Sequence, residues 1–74
     1  MGDVADEALA AWTYYLALPL NNSERCNASR EVATIYWRQK DDPVTARKWL
    51  ERALAAKPDD DTARTLLQKL ENPP

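Results

Sequence analysis

Seventy-four residues with a formal net charge of −2 bound one small domain, and ten Lys and Arg against twelve Asp and Glu give no overall pull toward nucleic acid or anionic lipid. At 45% hydrophobic and 30% charged the chain is too apolar for a disordered one, and a single Gly with no Phe favours helix over sheet. No histidine, one cysteine (Cys26) and one glycine leave no parts for a Cys/His nucleophile pair, a soft-ligand zinc site or a glycine-rich phosphate loop. No catalytic residue, metal or cofactor is therefore expected. No apolar run approaches the ~20 residues that cross a bilayer. Residues 1–6 lack the basic start and apolar segment of a secretory signal, so a cytoplasmic protein is the default expectation.

The first predicted helix spans 3–17. Ala5, Ala8, Leu9, Trp12, Tyr15 and Leu16 share one face of it, and Asp3, Asp6 and Glu7 sit in the opening turns, where carboxylates suit the positive end of the helix dipole. Tyr14 falls off this stripe. Pro19 stops the helix, and Asn21, Asn22 and Ser23 offer capping side chains for the next. The second helix is predicted over 23–39, with Cys26, Ser29, Ala33, Tyr36 and Trp37 on its apolar side and Val32 nearby. It ends at Lys40-Asp41-Asp42 without glycine, so a left-handed cap would fall on Asp41 at some cost.

The third helix, 43–56, has the best-marked boundaries. Asp42 is a good N-cap, and Pro43 fits the first helical position, whose N–H has no helical partner. Val44, Ala46, Trp49, Leu50, Ala53 and Leu54 are read as its apolar face, with Arg47 and Glu51 an i,i+4 pair outside. Pro58 breaks the chain, and the run Asp59-Asp60-Asp61 is read as a capped, acidic start to a fourth helix over 59–71 rather than as a metal site. That helix buries Ala63, Leu66, Leu67 and Leu70, and Asn72-Pro73-Pro74 ends it. Four helices with short connections predict an all-α domain over 1–74 with sequential neighbours antiparallel. A helix-turn-helix DNA reader is disfavoured, because acidic residues neutralise Arg25, Arg30, Arg38 and Lys40 and no helix offers a basic face.

Residues 27–61 resemble one tetratricopeptide (TPR) repeat. That family places a small, a large, a small residue and a proline at offsets of 0, 4, 7 and 12, where this chain has Ala46, Leu50, Ala53 and Pro58. In the first helix of the repeat, Ala33 stands where the family has Leu and Trp37 where it has Tyr. Arg30 replaces the family's Trp, Thr34 its close-contact Gly and Asp41 its turn Gly. Ala8, Trp12 and Tyr15 echo Ala46, Leu50 and Ala53, so the first helix is similar to the second half of an eroded upstream repeat. The fourth helix is similar to a following or capping helix.

The resemblance implies a scaffold for protein–protein interaction, either free-standing or a piece of a longer repeat array. Its inner face would be Ala28, Glu31, Ile35, Arg38 and Gln39, continued by Thr62, Thr65 and Lys69, and would hold a peptide or helix of a partner protein. The basic and Asn residues with which chaperone-binding members grip a C-terminal carboxylate are missing at the matching places, so no carboxylate clamp is expected. The alternative is self-association. One repeat leaves apolar surface uncovered, and Tyr14, Leu18 and Leu20 are the candidates for an exposed patch that a homodimer would cover.

Overall fold

The computed structural model describes residues 4–71, which form four α-helices: α1 (Val4–Leu16), α2 (Asn22–Arg38), α3 (Pro43–Ala56) and α4 (Asp61–Glu71). The fold is all-α with the predicted number of helices. Asp3 and the ending Asn72-Pro73-Pro74 lie outside the described residues.

Local side chains account for the starts of three helices. Asn21 Oδ1 accepts the Glu24 N–H at 2.8 Å while Glu24 Oε1 accepts the Asn21 N–H at 3.1 Å, a reciprocal capping box that satisfies two otherwise orphaned donors. Asp42 Oδ1 accepts the Thr45 N–H at 3.1 Å, with Pro43 behind it at the first helical position. At α4 the cap is Asp60, whose Oδ2 accepts the Ala63 N–H at 2.9 Å. The helix therefore begins at Asp61 rather than at the predicted Asp59, because Pro58 and Asp59 are used up in a turn closed from Asp60 N–H to Lys57 O at 3.2 Å.

Bonds from the Thr45 side chain and backbone hold the Asp42 carboxyl below its ordinary value. A depressed carboxyl contributes stability above its unfolded-state pKa and loses it as pH falls through the folded-state value. Asn at this position caps without titrating. The stability gap between the wild type and Asp42→Asn is thus expected to close on acidification below about pH 4, as read by thermal melts across that range.

α2 ends in the way its sequence forces. Asp41 adopts φ 50°, in the left-handed region, and this reversal lets the Asp42 N–H donate to Tyr36 O at 2.8 Å. Asp41→Gly removes the Cβ penalty at that φ and is expected to stabilise the domain by about 0.5–1 kcal/mol. In a domain of this size that is a rise of roughly 2–8 °C in Tm, readable in a thermal melt.

Inter-helix contacts fix the chain direction. Asp6 near the start of α1 pairs with Lys40 just past the end of α2, so these two run antiparallel. Arg47 near the start of α3 reaches Glu71 at the end of α4 at 3.3 Å, so that pair does too. Cys26 near the start of α2 feels Lys57 and Asp60 just beyond α3, which makes α2 and α3 antiparallel as well. Each helix packs chiefly on its neighbour in sequence, α2 on α3 most extensively, and the Cα trace measures 34 × 33 × 14 Å. This flat, open arrangement differs from a closed four-helix bundle, in which α1 would return to α4.

The main core lies between α2, α3 and α4. Cys26, Ala33, Ala46, Leu50, Ala53 and Ala63 are buried there, with Tyr36, Trp37, Trp49, Leu54, Leu66, Leu67 and Leu70 packed around them. Small residues at Ala33, Ala46 and Ala53 let α2 and α3 approach closely, and Leu50, 1% exposed, is the largest side chain fully enclosed. Val44 corrects the sequence reading. It is 66% exposed, since two residues at helical pitch put it about 200° around from Ala46, on the opposite face.

α2 is also buried on a second side that the single-stripe reading overlooks. Ala28, Val32 and Ile35 are enclosed but lie outside the main core cluster, and their spacing places them opposite Cys26 and Ala33, toward α1. α2 is thus flanked by α1 on one side and by α3 on the other, and α3 in turn carries α4.

Candidate functional site

Two buried sides leave α2 one free stripe. Asn27, Glu31 and Arg38 recur at spacings of 4 and 7 with Thr34 between them; all are exposed except Thr34, which is half-buried. Thr34 Oγ1 donates back to Arg30 O at 3.0 Å, and the Arg38 guanidinium lies 5.5 Å from the centre of the Trp37 ring. The stripe carries one acid, one base and amide and hydroxyl groups, a surface suited to a polar chain and not to a phosphate backbone.

The predicted inner-face residues divide. Glu31, Arg38, Gln39, Thr65 and Lys69 are exposed, whereas Ala28 and Ile35 are buried, Ile35 to 7% exposure. α1 lies across that side of α2, so Ala28 and Ile35 support the surface from beneath instead of forming it. Gln39 continues past the end of the helix, where its N–H still donates to Ile35 O at 2.9 Å. Thr65 and Lys69 sit one turn apart on the outer side of α4. Of the residues read as a self-association patch, Tyr14 is 78% and Leu18 45% exposed, while Leu20 is half-buried.

The sequence reading did not anticipate an open groove of about 410 Å³ between α1 and the first turns of α2, lined by Ala11, Trp12, Tyr15, Glu24, Asn27 and Ala28. Its α1 wall is an edge-to-face aromatic pair, with the Trp12 and Tyr15 ring centroids 5.7 Å apart at 79°. The helical spacing of Trp12 and Tyr15 puts them on the apolar face of α1, where both are half-buried. The signal that could have revealed a groove is Ala11 and Ala28, too small to fill the space beside those rings.

Comparison with protein-family models, with curated proteins and with solved structures yields no match.

A polar cluster ties α2 to the start of α4. Arg30 Nε lies 3.4 Å from Asp60 Oδ2, with both side chains largely covered, and Arg30 Nη2 donates to Asn27 Oδ1. Arg30 thus acts as a strut from α2 to the cap of α4. Burial pushes the neighbouring Cys26 thiol up and the Asp60 carboxylate adds to the shift, against a smaller opposing pull from Arg30. A buried thiol raised in this way stays protonated at neutral pH and serves as a small apolar filler. Among the described residues no group of three or more His, Cys, Asp or Glu is placed to hold a metal, and no helix is long and apolar enough to cross a membrane.

Proposed function

We propose that this chain is a TPR-like interaction module that holds a peptide or helix of a partner protein along the free side of α2. The observation that carries the reading is the joint geometry of residues 41–53. Ala46, Leu50 and Ala53 are enclosed at the small, large and small positions of the repeat, and the positive φ falls on Asp41 at its turn position. Support also comes from the open, side-by-side array of helices, which leaves the Asn27, Glu31 and Arg38 stripe presented and flanked by its neighbours. The role is scaffold and recognition, with no chemistry assigned.

The test uses charge exchange on the stripe. Capture of partners from native lysate is compared for the wild type and for a Glu31→Arg/Arg38→Glu double variant, with melts recorded on both. Exposed substitutions leave stability within about 0.5 kcal/mol. Partners lost by the variant at unchanged Tm support the site, and an identical captured set overturns it.

The exposure of Tyr14 and Leu18 favours a second reading, self-association through α1. Sedimentation separates the two: a monomer at all concentrations contradicts self-association, and a dimer abolished by Tyr14→Ser supports it.

A further inference from the structure

We propose that the groove between α1 and α2 receives a cationic side chain, arginine or lysine, of a partner peptide, with Trp12, Tyr15 and Glu24 as its walls and Asn27 holding the adjacent backbone. The proposal rests on the reading of the chain as a peptide-holding module and supplies the occupant of one part of it. Its volume of about 410 Å³ falls within the range of ~300–1,000 Å³ for ligand pockets.

Charge complementarity selects the occupant. Among the described residues lining the groove, Glu24 bears the one formal charge at neutral pH. Its bond to the Asn21 N–H engages one oxygen without neutralising the carboxylate, which has further acceptor positions for a guanidinium or ammonium group. Helix dipoles do not oppose this. The positive start of α2 lies against the negative end of α1, and the last turn of α1 contains no basic residue to offset that end. The two partial charges roughly cancel, and Arg30, which bonds Asn27, is itself paired with Asp60, leaving the carboxylate to set the sign.

The aromatic pair fits the same ligand. An indole and a phenol ring line one wall, and aromatic rings of this kind attract a cation. Asn27 adds orientation. Arg30 engages its carbonyl oxygen, which leaves the amide NH₂ to serve a ligand, and an NH₂ suits a peptide carbonyl next to the bound side chain. A neutral apolar occupant would use the rings and leave the Glu24 charge unmatched beyond its capping bond, whereas an anionic one would meet Glu24 directly.

The probes are two blocked tripeptides, Gly-Arg-Gly and its citrulline counterpart, titrated into the wild type and Glu24→Gln with amide and indole NMR shifts as the readout. Gln retains the capping box, so the variant removes charge and keeps the fold. Binding of the arginine peptide is expected with a Kd on the order of 1 mM, shifting the Trp12 indole and the Glu24 and Asn27 amides. Citrulline on the wild type, and arginine on Glu24→Gln, are each expected to bind at least about fivefold more weakly. Equal binding of the two peptides points to an apolar occupant and overturns the proposal, as does the absence of shifts in the groove. Groove shifts that depend on protein concentration without peptide point to a second copy and overturn it too. Shifts confined to Glu31 and Arg38 overturn the groove assignment alone, because the module reading stands or falls on the charge-exchange capture.

Discussion

Leu50→Ala is expected to lower the unfolding free energy by about 3–4 kcal/mol, within the range for a fully enclosed leucine. Leu50 is 1% exposed and is the largest side chain wholly inside a core otherwise made of Ala and Cys. Its removal leaves a cavity among buried small residues, which the larger side chains packed around the cluster fill only in part. A domain below roughly 70–80 residues has about 3–5 kcal/mol of net stability from its core. The variant should therefore lose its cooperative melt near 37 °C, as followed by circular dichroism. Leu70→Ala, on the half-buried face of α4, serves as the comparison and should retain a melt lowered by a much smaller amount. Similar losses from the two variants would contradict the placement of Leu50 at the centre.

The second large effect has the opposite physical origin. Ala53→Leu adds three carbons at a fully buried position of the core, and overpacking of this kind costs about 1–3 kcal/mol. Ala55 lies two residues along the same helix, fully on the exposed side. Ala55→Leu carries the same propensity change and should stay within about 0.5 kcal/mol of the wild type. Urea unfolding of the pair isolates the requirement for a small residue, and equal midpoints would contradict close packing around Ala53.

Features governed by local chemistry were legible in the sequence. The start of α3 at Asp42 and Pro43, the break at Pro58 and the left-handed residue at Asp41 all follow from side chains within a few positions of the backbone they govern. The Arg47–Glu51 pair, at 3.5 Å, is of the same kind. The second buried side of α2 was not legible. A helix between two neighbours spreads Cys26, Ala33 and Trp37 over one side and Ala28, Val32 and Ile35 over another, with Glu31 and Arg38 interleaved, so no single apolar stripe stands out. Assigning Ala28 and Ile35 to an open inner face followed from that. The Arg30–Asp60 tie was also hidden, because it joins residues 30 positions apart whose types alone suggest two solvated charges. The groove depends on where α1 lies against α2, a tertiary fact that the spacing of Trp12 and Tyr15 does not contain.

Native-state amide hydrogen exchange tests most directly whether α2 and α3 form one hairpin against which α1 and α4 are laid. The slowest-exchanging amides are expected in the facing turns of α2 and α3, around Ala33, Leu50 and Ala53, at the free energy of global unfolding. Amides of α1, which adds only one interface, should exchange through a cheaper opening by about 1 kcal/mol or more. Slowest exchange in α1 or α4, with α2 opening early, would contradict the hairpin as the scaffold of the molecule.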